Sequence, residues 1–268
     1  MSRSRIHIDV QSMAVADAIK ALEHKTRVRT RDLPEVVEAP APLKGKALKA
    51  AKAEAAAKAG TTGGSGEIRI IGGQWRRTRL SVAQRPGLRP TPDRVRETLF
   101  NWLGQDLTGW RCIDAFAGTG VLGFEAASRG AKDVIMVELD AGLVAQLRTL
   151  QQRLGASAVK VQRGDGLSIL QQVTADSLDL VLIDPPFTEN ALFLPALRAA
   201  RSAIGADGWV YLEAPAEWGE AALAPLGFTR QRYLKAGAVH AHLLRKGPVV
   251  AAAEAVDEAV DEAPTAAD

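Results

Sequence analysis

From Arg111 onward, apolar and polar positions alternate between two patterns. Short, mostly apolar runs at 112–114, 134–138, 159–161, 178–183 and 209–213 predict five strands, with 178–183 apolar enough to be buried on both faces. Between them, apolar residues recur at helical spacing. Gly118-Thr119-Gly120 opens a helix that runs to about Arg129, and Leu143, Leu147, Leu150 and Leu154 stripe a second. Residues 167–173 form a short third helix, and 192–203 a fourth that closes near Gly205. Regular alternation of strand and helix with right-handed crossovers predicts an α/β fold with a doubly wound, mostly parallel sheet. After Glu213 the rhythm changes. A short helix at 220–223 precedes 228–235, a turn at Gly237 and 239–245, which together predict a terminal hairpin with a reversed strand and complete a sheet of seven.

Upstream of Arg111 the pattern is different. Ile68, Ile70 and Ile71 before Gly72-Gly73, then 75–80, predict a small hairpin. Thr91 is the expected N-cap of a helix with Pro92 at its first position, and Val95, Leu99, Trp102 and Leu103 form its core-facing stripe. Residues 67–247 are therefore expected to be one domain. Residues 1–66 carry scattered Arg and Lys, a Pro/Ala stretch, a Lys/Ala run and a Gly-rich linker composition, which together predict a disordered basic extension. Within it, 13–22 can form a short amphipathic helix, and 54–58 has helical propensity without an apolar face. Residues 248–268 are Ala-rich and acidic, and the same argument predicts a disordered tail.

Charge sharpens this division. The net charge of +3 over 268 residues conceals eight arginines against one aspartate between Arg69 and Arg96, and six acids with no base in the last 20 residues. A basic body points to a polyanionic partner. Cys112 is the single cysteine, which excludes an internal disulfide and a cysteine-based metal site and fits a reducing, cytoplasmic setting. His7, His24, His240 and His242 do not cluster with acids at ligand spacing, so no metal is expected. No apolar stretch approaches the ~20 residues of a membrane span, and no export leader is evident, so no membrane partner is expected.

The candidate chemistry lies at the strand ends. Asp184-Pro185-Pro186-Phe187 stops the run 178–183, and in open α/β sheets ligands gather at the carboxyl ends of strands. A carboxylate, carbonyls without a neighbouring N–H and an aromatic ring suit a flat base held by its exocyclic amine and stacked on its face. A plain strand exit is the alternative. Upstream, Asp114-Ala115-Phe116-Ala117-Gly118-Thr119-Gly120 follows a strand and opens a helix, with Glu138 ending the next strand about twenty residues on. Gly118, Gly120 and Gly123 satisfy a dinucleotide fingerprint. Asp114, four residues before the first glycine, instead suits a cationic ligand end such as the amino group of S-adenosylmethionine, leaving Glu138 for a ribose diol. Asp165, at the third strand end, is placed either for an adenine amino group or as a helix N-cap. Arg76, Arg77, Arg79, Arg89 and Arg94 are candidate phosphate contacts for RNA, with a solvated ribbon as the alternative.

The combined acids and glycines resemble the S-adenosylmethionine-dependent methyltransferases, whose Rossmann-like fold they imply. The Asp-Pro-Pro-Phe motif is similar to that of the branch that methylates exocyclic amines. The blocks Ile70-Ile71-Gly72-Gly73-Gln74-Trp75-Arg76, Leu88-Arg89-Pro90-Thr91 and Asp93-Arg94-Val95-Arg96-Glu97-Thr98-Leu99-Phe100-Asn101-Trp102-Leu103 resemble the RsmD family. With Lys235-Ala236-Gly237, that resemblance spans about Ile68 to Arg245. It implies methylation of guanine N2 in small-subunit (16S) ribosomal RNA, naked or in an assembling subunit, by a monomer that uses S-adenosylmethionine and no metal. Asp184, Pro185, Pro186 and Phe187 would then hold the target amine and base, and Asp114, Phe116, Gly118, Gly120, Glu138 and Asp165 the cofactor. Arg77-Thr78-Arg79 stands where the family usually has Gly and two basic residues. The rival readings are a DNA adenine-N6 methyltransferase, which usually needs a separate target-recognition domain, and a noncatalytic RNA-binding assembly factor on the same fold.

Overall fold

The computed structural model describes residues 67–81 and 90–250. The readings for the 1–66 extension, its 13–22 helix, Arg89 and the tail beyond 250 lie outside the described residues. A two-stranded antiparallel hairpin, β1 (Glu67–Arg69) and β2 (Arg79–Ser81), precedes helix α1 (Asp93–Leu103). The chain then alternates β3 (Arg111–Asp114), α2 (Val121–Ser128), β4 (Asp133–Glu138), α3 (Ala141–Arg153), β5 (Val159–Arg163), α4 (Gly166–Gln171), β6 (Leu178–Ile183), α5 (Phe193–Ala203) and β7 (Ile204–Ala214). It ends with α6 (Glu220–Leu223), β8 (Phe228–Ala236) and β9 (Val239–Lys246). The seven-stranded sheet has the order β5-β4-β3-β6-β7-β9-β8, and β9 runs antiparallel to both neighbours. This is the doubly wound sheet with a reversed strand that the pattern predicts. β7 starts earlier than expected, at Ile204, because a register shift opposite Leu178 and Leu180 absorbs the Gly205-to-Gly208 turn.

Strand alternation divides the core into two layers. Cys112, Met136, Leu180, Leu182 and Tyr211 pack with α1, α2 and α3 on one face. Ile113, Val137, Val181, Ile183 and Leu212 pack with α4, α5 and α6 on the other. Val95, Leu99 and Leu103 of α1 are buried as its stripe predicts. Thr91 does not cap that helix. Pro92 takes the N-cap position, without a side-chain cap bond, and the buried Thr91 hydroxyl turns elsewhere.

An ion network fixes the hairpin and α1 to the sheet. The Glu125 side chain, fully buried in α2, accepts from Ile71 N at 2.6 Å and from Arg96 Nη1 at 2.8 Å, and it also pairs with Arg129. Arg96, likewise 0% exposed, donates from Nε to the Thr91 carbonyl at 3.1 Å and from Nη2 to Asp93 at 2.6 Å. Burial pulls the Arg96 guanidinium below its ordinary value, and the charges of Glu125 and Asp93 oppose that pull. The hairpin bend rests on the far end of α2, where Gln74 N and Trp75 N donate to the Ser128 carbonyl and hydroxyl. A Cβ on Gly73 would lie 1.9 Å from the Ser128 carbonyl oxygen, so only glycine permits this approach. The docking leaves strands of three residues each, shorter than the apolar pattern suggests.

Candidate active site

Strand β3 is the topological switch point: from it the chain steps to β4 and β5 on one side, and later to β6 on the other. Ligands of open α/β sheets bind in the crevice this creates. The loop after β3 straddles it, with Ala115 N donating to the Leu182 carbonyl of β6 at 3.1 Å and Ala117 N to the Val137 carbonyl of β4 at 2.8 Å. Gly120 closes the loop at φ 78°, where a Cβ would lie 2.3 Å from Leu147 Cδ2. Both the positive φ and the crowding demand glycine.

Asp114 sits at the base of this loop, 1% exposed, and its Oδ2 accepts from Gly123 N in the first turn of α2 at 3.0 Å. Burial pushes its carboxyl up to about 7. The N–H groups of Gly123 and Phe116 oppose the shift, and the nearby Glu138 charge adds to it. Glu138 ends β4 and accepts from Gly118 N and Asp140 N, both at 2.8 Å. Each of its oxygens keeps a second lone pair for a ligand hydroxyl. Asp165 caps α4, accepting from Ser168 N at 2.7 Å, and the Ser168 side chain first, with that N–H second, holds its carboxyl below the usual range. The capping role left open by the sequence is thus occupied. Gly166 packs so tightly on the loop that a Cβ would lie 1.9 Å from the Ala115 carbonyl oxygen, so Asp165 stands next to the Ala115-Phe116 edge.

Asp184 follows β6 into the same crevice, half-buried, with Pro185 buried and Pro186 exposed. Phe187 is half-buried and packs against the layer that holds α4 and α5. Two neighbours escaped sequence reasoning. The displaced Thr91 hydroxyl donates to Asp184 Oδ2 at 3.5 Å. Glu213, 3% exposed, is the penultimate residue of β7 and accepts from the Tyr211 hydroxyl at 3.0 Å. Its sequence signal is that of Asp114, Glu138 and Asp184, an acid closing an apolar run, here 209–213.

The basic candidates do not converge on this crevice. Arg76 and Arg77 are exposed on the bend that docks at Ser128, about 12 Å along an eight-residue helix from the glycine loop. Arg79 is exposed and paired with Glu67 at 3.2 Å. Arg94 is exposed in the first turn of α1, close in sequence to Thr91. Arg77 adopts φ 70°, the left-handed conformation that glycine takes freely, so the bend keeps its shape without the expected glycine.

The profile of the family described as Conserved hypothetical protein 95 matches residues 68–245. The chain belongs to this family, the RsmD family. Ribosomal RNA small subunit methyltransferase D of Escherichia coli strain K12 is 46% identical over 129 residues, which are 48% of this chain and 65% of that protein. The protein of that name from Haemophilus influenzae is 46% identical over 133 residues, 48% of this chain and 69% of its own length. Among solved structures, yhhF from Escherichia coli is 32% identical with a TM-score of 0.59, covering 68% of this chain and 99% of that one. For this RsmD-family chain, three carboxylates and a glycine loop at successive strand ends form a donor set suited to S-adenosylmethionine: acceptors for an ammonium, a diol and an amine. Among the described residues no group of three or more His, Cys, Asp or Glu is arranged to hold a metal ion, and no helix is long and apolar enough to cross a membrane.

Proposed function

We propose that the protein transfers the methyl group of S-adenosylmethionine to the exocyclic N2 of a guanine in small-subunit ribosomal RNA. The observation that carries this reading is the placement of Asp184-Pro185-Pro186-Phe187 at the end of β6, one strand from the Asp114 loop and on the open side of the switch point. The names of the curated relatives support ribosomal RNA as the substrate. The cofactor supplies a methyl group on a sulfonium, which a neutral amine can displace. Asp114 would hold its amino end, Glu138 the ribose, and Asp165 with Phe116 the adenine edge.

The guanine amine is a poor nucleophile because its lone pair is delocalised into the ring. Asp184 and the Pro185 carbonyl accept its two hydrogens, which turns the lone pair out of the ring plane and towards the methyl carbon. Asp184 would take up the N–H proton that the amine gives up on methylation. Phe187 stacks the extruded base. The rate gain comes from positioning and preorganised acceptors. The test is methyl transfer from labelled cofactor to ribosomal RNA from cells lacking the enzyme, followed by mapping of the modified nucleotide. Label at guanine N2 of the small-subunit RNA is the expected result. Label at an adenine, in large-subunit RNA or nowhere would overturn it.

A further inference from the structure

The buried acid near the end of β7 has no part in the chemistry above. In the β6–β7 register Leu182 pairs with Tyr211 and Ile183 with Leu212, so Asp184, the first residue past β6, comes beside Glu213, which stays in β7 and pairs with Ala241 of β9. Leu182 and Tyr211 face the layer of α1, and alternation returns Asp184 and Glu213 to that same face. There the Thr91 hydroxyl reaches Asp184 at 3.5 Å and the Tyr211 hydroxyl reaches Glu213 at 3.0 Å. Tyr211 feels both carboxylates: after burial, the charges of Glu213 and Asp184 are what hold its phenol well above the usual range. Two carboxylates on adjacent strands, about 4.8 Å apart at the backbone, repel each other and lose hydration on burial. Such an arrangement suits a ligand that brings adjacent donors.

Guanine brings three donor hydrogens on one edge, two on N2 and one on N1. Asp184 and the Pro185 carbonyl account for the two on N2. Adenine also presents an amine with two hydrogens, but beside it stands N1 with a lone pair and no hydrogen. The group that meets N1 therefore decides between the two bases. We propose that Glu213 is the specificity-determining residue that accepts the guanine N1–H, with the Tyr211 hydroxyl fixing its orientation. The proposal rests on the methylation reading above and adds to it the element that rejects bases lacking an N1 hydrogen. A carboxylate facing the N1 lone pair of adenine would meet repulsion in place of a hydrogen bond, and sites built to bond a missing donor reject such analogues strongly.

The test compares two RNAs on one enzyme preparation. The first is small-subunit ribosomal RNA with its mapped target guanosine, and the second is the same RNA ligated with 2-aminopurine at that position, which keeps the 2-amine but has no N1 hydrogen. Single-turnover rates on saturating RNA give a guanine to 2-aminopurine ratio in which any unfolded fraction cancels. The wild type is expected to favour guanine by roughly a hundredfold or more, the size of one preorganised polar contact. Glu213→Gln is expected to slow guanine methylation and to lower the ratio by about the same factor, because the amide N–H can donate to the bare N1. An unchanged ratio would overturn the assignment, whether both rates stay normal or both fall together. A wild-type enzyme that methylates neither RNA would overturn the methylation reading itself. A wild type active on guanosine, with a ratio unmoved by Glu213→Gln, would overturn only the role of Glu213.

Discussion

Replacing Asp114 by Asn removes a charge that the fold holds at a cost. Burial raises the carboxyl from its ordinary 3.8 to about 7, so between those values the folded chain keeps a proton that the unfolded chain releases. Stability must therefore fall as pH rises through this window, by up to about 4 kcal/mol once pH exceeds 7, since each tenfold change in proton affinity is worth about 1.4 kcal/mol. Asp114→Asn keeps the acceptor for Gly123 N and lacks the charge. It should match the wild type near pH 4 in urea unfolding and exceed it near pH 8. Binding of the cofactor has the opposite slope, because its ammonium end selects the ionised carboxylate. With a pKa of about 7, roughly a tenth of the protein is ionised at pH 6 and half at pH 7, so affinity should rise about fivefold over that interval. Titration calorimetry in two buffers of different ionisation heat should record release of about 0.9 proton at pH 6 and about 0.5 at pH 7. The Asn variant should bind more weakly at pH 7, with a flat profile and no proton released. Wild-type affinity that is level between pH 6 and 7, with no proton exchange, would refute the assignment of Asp114 to the cationic end.

Asp184→Ala should leave cofactor affinity within a few-fold and cut single-turnover methyl transfer by roughly a hundredfold or more, whereas Glu138→Ala should weaken cofactor binding first. Near-normal transfer by folded Asp184→Ala would remove it from the chemistry. Arg96→Met strips one cation from the buried Glu125 and should cost about 3–5 kcal/mol in urea unfolding, while the Arg96→Met/Glu125→Leu pair should cost less than the two single changes summed; additive losses would argue against coupling. Arg77→Gly should gain about 0.5–1 kcal/mol from relief of the left-handed backbone. If Arg77 contacts phosphate, the same change should flatten the log–log salt dependence of RNA binding by up to ~0.9, and an unchanged slope would release Arg77 from RNA contact.

The sheet was legible because its signals are local. Each apolar run from 112 to 213 ends in an acid or a turn, and period alone separates 178–183 from the stripe of Leu143, Leu147 and Leu150. The glycine loop was legible for the same reason, since strand, turn and helix follow each other directly. What the sequence concealed depends on partners far away in the chain. Thr91 has the side chain of a cap, and only its contact with Asp184, 93 residues on, draws it from that role. Glu213 gains meaning from the register that sets it beside Asp184. Glu125 and Arg96 read as a stray acid and a stray base on apolar helix faces until the fold joins them. The hairpin bend fell outside the pattern because Ser128, not its own strands, holds it.

Glu125 also sets an order of events during synthesis. The amides of Ile71 and Gly72 that it receives lie 54 and 53 residues before it, and Arg96 lies 29 before it. At about 5–20 residues per second, a nascent chain waits some 3–10 s between making the hairpin and making its anchor. Through that interval the apolar side of 68–80 has no α2 to rest on and is open to chaperones or to misplaced partners. Ribosome-bound chains arrested with Glu125 still inside the exit tunnel should show rapid amide exchange at Ile71 and Gly72, and chains released past α2 should show protection there. Early protection would mean that the hairpin finds another anchor first.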